Sequence, residues 1–336
     1  IYLFNSARYD GIQNKGSIEI NGGTFKVNAP WNNFYYVLNQ QNGSEGTITV
    51  KGGTFENYDP SRGDDHDQPT NFVAEGYKSL QKGETYVVVP NEVTDVVSSN
   101  EDLDAAISNT EGEATIALGN NAEISLKSGA ANGKSNDFTF IGDGTSTFDV
   151  ISDAVTAEGG ELNYQRGSTF TFQNLTIKAG EGNFDGIVCD ELTYYNCTIT
   201  GKLALYGKAT FINCTFENDM ANQYSIWTWG GTDVTFKGCT FNTNGKAILL
   251  YGQATAAKPT NLVVNNCTFN DSSNGAAGKA AVEIGNDYNA TYTLTINKAI
   301  VNGFADGKNT GSKLWANKNS MDAAHLTVTI DGKKIQ

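Results

Sequence analysis

Apolar and polar residues alternate along six short stretches of the chain, residues 169–173, 192–196, 209–213, 233–237, 262–266 and 292–297. Alternation with period two in β-branched and aromatic residues predicts half-buried β-strands. Each stretch runs into one recurring phrase. The copies read Asn174-Leu175-Thr176-Ile177, Asn196-Cys197-Thr198-Ile199, Asn213-Cys214-Thr215-Phe216, Gly238-Cys239-Thr240-Phe241 and Asn266-Cys267-Thr268-Phe269, with a worn copy at Lys298-Ala299-Ile300-Val301. The copies lie 22, 17, 25, 28 and 32 residues apart. A second, more apolar strand follows each phrase, beginning at Ile187, Leu203, Ile226, Ile248, Val282 and Leu314. Unequal spacing around a constant strand phrase predicts stacked coils with loops of variable length, an all-β parallel β-helix.

The remaining segments fall around that solenoid. Residues 17–25 return as residues 47–55, with Gly22-Gly23-Thr24-Phe25 repeated 30 residues later. Between them a strand over 34–38 matches 1–4, so two coils of a separate segment are expected. Residues 71–77 and 84–89 read as the arms of a closing hairpin. Beyond Pro90, Ser98 and Glu101 have capping-box spacing, and Leu103, Ala106 and Ile107 recur at helical spacing. A short amphipathic helix over 98–109 is therefore expected to cover one end of the main stack, whose edge strands would otherwise be open. The expected division is 1–91 for the partial first segment and 92–336 for the main β-helix, ending in a strand over 326–330. Since the sequence opens on a strand-like Ile1-Tyr2-Leu3-Phe4, the expectation is that more chain precedes it.

Composition sharpens the picture. With 37 glycines and 5 prolines in 336 residues and almost no helical periodicity, the chain is turn-rich and unlike an α/β enzyme. A net charge of −14 argues against nucleic acid, whose phosphates need clustered Lys and Arg. No apolar run reaches membrane-spanning length, so membrane insertion is not expected. Four of the five cysteines, 197, 214, 239 and 267, share one repeat column with Leu175 and Ala299. Neither of those can ligate or cross-link, so the column predicts buried, reduced thiols rather than a metal or disulfide site. The neighbouring Asn residues suit left-handed turns. An acidic run over 58–67, with Asp59, Asp64, Asp65, His66 and Asp67, fits no Ca²⁺-loop spacing and reads as a solvated turn.

The Asn-Cys-Thr-Phe phrases, with partners such as Ala247-Ile248-Leu249-Leu250-Tyr251-Gly252, resemble the right-handed parallel β-helix proteins of the pectate-lyase-like superfamily, over residues 92–336. Residues 52–60 and 71–77 are similar to modules of uncharacterised surface and phage-associated proteins of gut bacteria. That superfamily spans pectate lyases, polygalacturonases, tailspikes and adhesins. The resemblance implies a polysaccharide partner and an extracellular, cell-surface or virion-surface location, without fixing a reaction or an oligomeric state; tailspike relatives imply that a trimer is one option.

With Ile187, Leu203, Ile226, Ile248, Val282 and Leu314 pointing inward, alternation turns Trp227, Glu283 and Trp315 outward, and two residues further along Asp190, Tyr206, Trp229 and Tyr251. These seven are the candidate ligand-binding residues. Rings on successive rungs about 4.8 Å apart would make an aromatic ladder suited to sugar faces, unless the loops over 254–259 and 271–278 bury it. Carboxylates available to an enzyme are Asp185, Asp190, Glu191, Asp219, Asp233, Glu283 and Asp287. Asp190 and Glu283 lie four coils apart, roughly 19 Å, too far for a two-carboxylate mechanism. Arg8, Arg62 and Arg166, and His66 and His325, all fall outside the regular repeats. The expected protein is a non-catalytic glycan-binding surface or fibre protein, with no catalytic residues, metal or cofactor assigned. A polysaccharide lyase or glycoside hydrolase and a purely structural spacer are the alternatives.

Overall fold

The computed structural model describes residues 4–5, 16–28, 37–40, 46–63, 69–150, 162–180 and 185–336. The chain divides into two compact units, one of 1–98 with 115–122, the other of 99–114 with 123–336.

In the first unit, Ser17–Phe25 lies parallel to Thr47–Glu56, with Ser17 opposite Thr47 and Phe25 opposite Phe55. This is the register that the repeat of Gly-Gly-Thr-Phe implies. Phe4 likewise pairs with Leu38 in parallel. Phe25 and Phe55 stack at 4.9 Å over a core of Ile20, Ile48, Val50, Phe72 and Val88. The hairpin is present, but its first arm is Tyr77–Lys82, antiparallel to Thr85–Pro90, rather than 71–77. Asn71 explains the shift, because its Oδ1 accepts the Val73 amide and turns the chain there, and Gly76 takes φ +84°. Of the acidic run, Asp59 caps the turn Pro60–Arg62. Asp64, Asp65, His66 and Asp67, like Arg8, lie outside the described residues.

The second unit is the solenoid. Each full coil has three strands in fixed order. On the first face, Asp137–Ile141, Thr169–Gln173, Asp233–Lys237, Thr260–Asn265, Tyr292–Asn297 and Leu326–Ile330 stack in parallel with the second halves of Ile187–Tyr195 and Leu203–Ile212. On the second face the phrases stand in strict register, Thr147, Thr176, Thr198, Thr215, Thr240, Thr268 and Ile300 in one line. The third face joins the start of Leu203–Ile212 to Tyr224–Thr228, Lys246–Leu250, Val282–Ile284 and Trp315–Asn317.

The turn between first and second faces is the most regular feature. Asn174, Asn196, Asn213, Asn266 and Lys298 have φ between 51° and 54°, and Gly238 has 63°. Glycine and asparagine enter that left-handed region at the least cost, and five of the six copies begin with one of them; Lys298 takes the same φ in the worn sixth. The next residue points inward: Cys197, Cys214, Cys239 and Cys267 are each 1% exposed and all five cysteines are free. The interior is otherwise a row of stacked rings, among them Phe172, Tyr194, Phe211 and Phe236, at centroid spacings of 4.5–5.1 Å.

The helix spans Asn100–Asn109 and buries Leu103, Ala106 and Ile107. Its cap is Ser99, whose side chain accepts from the Asp102 amide, one residue later than the Ser98–Glu101 spacing indicates. At the opposite end Lys333–Lys334 folds back antiparallel on Leu326–Ile330 and pairs its edge. No helix among the described residues is long and apolar enough to cross a membrane.

Candidate functional site

The third face gathers the aromatic residues. Alternation turns Leu203, Leu205, Ile226, Ile248, Leu250, Val282 and Ile284 into the core, where each is 0–1% exposed. Trp227 and Trp229 occupy the opposite parity on one coil, Tyr206 on the coil before, Tyr251 on the coil after, and all four are half-buried. Tyr206 stacks on Trp229 at 6.3 Å with the planes 9° apart, and Trp229 meets Trp227 at 6.2 Å and 19°. Tyr251 closes the group, 5.1 Å from Trp229 and 5.7 Å from Trp227.

Backbone pairing holds these rings in place. The Trp229 amide donates to the Leu205 carbonyl at 3.0 Å. Thr228 clamps the next rung from both sides: its Oγ1 accepts the Tyr251 amide at 2.9 Å and donates to the Tyr251 carbonyl at 3.1 Å. Burial pushes the Tyr206 phenol well above its ordinary range, so it is a neutral donor at any physiological pH.

Two lysines and a tyrosine that pattern reasoning missed complete the arrangement. Lys202 Nζ sits 4.7 Å over the Trp227 ring, and Lys246 Nζ 5.2 Å over that of Tyr224. Tyr224 in turn packs edge-on against Trp227 at 6.3 Å. Burial lowers the affinity of both lysines for their protons. Asp185 opposes this at Lys202, and at Lys246 the neighbouring Lys279 and Lys318 reinforce it while Glu283 opposes it. Cations therefore gather at the entry to the third-face strands of a chain whose net charge is −14. The signal was in the sequence, since Lys202 immediately precedes an apolar strand and Lys246 begins one, but it concerned the strand's entrance rather than its alternation.

Three of the seven expected residues do not join the rings. Trp315 pairs with Val282, not with Glu283, so it faces inward and is 5% exposed; Ala316 takes the outward position. Glu283 holds the expected column but is 2% exposed. Its Oε1 accepts the Ala280 amide at 3.1 Å and its Oε2 lies 3.7 Å from Lys279 Nζ, so the segment carrying Ala280 covers it. Asp190 is exposed in a bulge between Val188 and Glu191, its Oδ1 accepting the Gly167 amide at 3.0 Å. Val188, not Asp190, is level with Tyr206.

Pairing of Val188 with Tyr206, and of Ala204 through Trp227 and Leu249 with Glu283, keeps Asp190 and Glu283 about four rungs apart, roughly 19 Å. Two-carboxylate glycoside cleavage needs about 5–9.5 Å, so this pair does not form such a centre. Among the described residues no group of three or more His, Cys, Asp or Glu is placed to hold a metal ion. What the face offers is four adjoining half-buried rings, the indole nitrogens of Trp227 and Trp229 turned in from solvent, with the half-buried Lys246 ammonium at the border. Such a surface suits the flat apolar face of a sugar and an acidic substituent on it.

The family model described as right handed beta helix region matches residues 104–299. No curated protein and no solved structure matches the chain.

Proposed function

Because the chain belongs to the right-handed β-helix family, whose stacked coils hold side chains in straight rows, we propose that it is a non-catalytic glycan-binding protein. In this reading it works outside the cell, on a cell or virion surface, as an adhesin or receptor-binding fibre. The observation that carries the reading is the half-buried cluster of Tyr206, Trp227, Trp229 and Tyr251, rings 5.1–6.3 Å apart on three successive coils. Contiguous aromatic surface on a β-face is uncommon without a ligand to cover it. Lys246, half-buried at its border, favours sugars that carry an acidic group, whereas Lys202 is 2% exposed beneath the Trp227 ring. The resemblance of the strand phrases to the pectate-lyase-like superfamily supports the same partner class.

The test is a glycan-array screen of the purified chain, with product release from each bound polysaccharide assayed in parallel. Binding without cleavage is expected, and Trp229→Ala should weaken it about tenfold or more while leaving the melting curve close to the parent's. Release of product from a bound polysaccharide would replace the binder with an enzyme.

A further inference from the structure

A second concave surface lies on the solenoid, sharing no residue with the aromatic cluster. It is a groove of about 700 Å³ where the second-face strands end. Its floor is a column of outward side chains in strict register, Thr200, Glu217, Asn242, Asn270 and Asn302. The amides are linked head to tail. Asn302 Nδ2 donates to Asn270 Oδ1 at 2.9 Å, Asn270 Nδ2 to Asn242 Oδ1 at 3.0 Å, and Asn242 Nδ2 to Glu217 Oε1 at 2.8 Å.

Each carboxamide has two N–H donors and an oxygen with two lone pairs. The ladder uses one of each at Asn242 and at Asn270. One donor and one acceptor per rung are left over, repeated about every 4.8 Å along the stack. A group that both donates and accepts satisfies such a pair, and a hydroxyl is that group. Behind the column Asn218 pairs with Thr243 on the inward parity, each 3% exposed; the Asn218 Oδ1 accepts the Met220 amide at 3.1 Å and its Nδ2 is buried away from the groove.

Charge and composition narrow the ligand. Glu217, Asp219 and Asp271 line the groove with no Lys or Arg, so an anionic chain is repelled. No aromatic or large aliphatic side chain lines it either, so an apolar ligand finds no floor. A cation has little to bind, because the Asp271 carboxylate already takes the Ser273 amide, the Ser273 hydroxyl and the Gly275 amide at 2.8–3.1 Å. The geometry points to a neutral, hydroxyl-rich glycan chain lying along the stack, bound by the spare amide groups of Asn242 and Asn270.

The experiment measures binding of four soluble neutral polysaccharides, dextran, galactomannan, β-glucan and arabinan, by affinity electrophoresis and calorimetry on the full chain, with polygalacturonate alongside. At least one neutral chain should bind, with an affinity that added salt leaves unchanged. Asn242→Ala/Asn270→Ala should weaken it about tenfold, and Trp229→Ala should not. Since breaking the ladder can loosen the stack, Ser272→Trp serves as a second variant: it fills the groove from an exposed position and leaves every amide in place. It should abolish binding while lowering the melting curve by no more than the loss of the Ser272 hydroxyl's bond to the Thr243 carbonyl, about 1 kcal/mol. The inference is overturned if none of the four binds, or if Ser272→Trp binds as the parent does. Loss of neutral-chain binding in Trp229→Ala would overturn it as well, by moving that ligand to the aromatic face.

Discussion

Tyr194 stands in the interior row of rings, 5.1 Å from Phe172 and 4.5 Å from Phe211, and its hydroxyl is buried with no hydrogen-bond partner. A hydroxyl in that state gains nothing from the fold and has lost its water. Tyr194→Phe keeps the stacked ring and removes the orphan group, so it should raise stability by about 1 kcal/mol, read as a shift of the urea midpoint at constant slope. A fall in stability would show that the hydroxyl is bonded after all. At this scale the sequence is readable wherever a column repeats. Sharing a column with Leu175 and Ala299 marks the four cysteines as interior side chains, and the structure has them buried and without disulfides. Burial of Glu283 is not readable, because period-two alternation says which way a side chain points and nothing about a segment such as the one carrying Ala280 that folds over it.

Elements are legible in proportion to their length. First-face strands of five or six residues, each followed by an Asn, Gly or Lys with positive φ, lie in the expected register. The third-face strand Trp315–Asn317 has only three residues, and both Leu314 and Trp315 are apolar. Alternation cannot choose between neighbours of like character, so the expected register is one residue off, and a shift of one reverses the face. For the strand Ile187–Tyr195 the expected register is two residues off, which preserves the face but moves Asp190 away from Tyr206 into the bulge. The helix shows the same limit at its start. Ser98 and Ser99 both offer a hydroxyl three residues before an acid, and the structure uses Ser99. Ser99→Ala should therefore cost about 1 kcal/mol, measured as a lowered thermal midpoint. An unchanged midpoint would mean that the Asp102 amide has an equally good alternative in water.

Across the whole solenoid, each coil touches only its neighbours, so energy should be nearly one-dimensional along the stack. Phe216 and Phe241 lie on adjacent rungs, 4.3 Å apart with their planes 4° from parallel. Phe148 and Phe269 occupy the same column, but Ile177, Ile199, Phe216 and Phe241 separate them, five rungs or roughly 24 Å. Substituting leucine at both adjacent positions should give a loss that departs from the sum of the single losses by about 0.5 kcal/mol or more, because the second substitution no longer breaks an intact stack. Leucine at both distant positions should give losses that add to within about 0.5 kcal/mol. Denaturant melts of the two double-mutant cycles decide the matter. Equal coupling in both cycles would mean that the stack folds as one rigid block, and a substitution near residue 148 would then be felt at the rings of Trp227 and Trp229. Coupling confined to the adjacent pair means that the aromatic face and the amide groove can each be altered without disturbing coils more than a rung or two away, which is the condition under which variants of Trp229 and Ser272 report on binding rather than on folding.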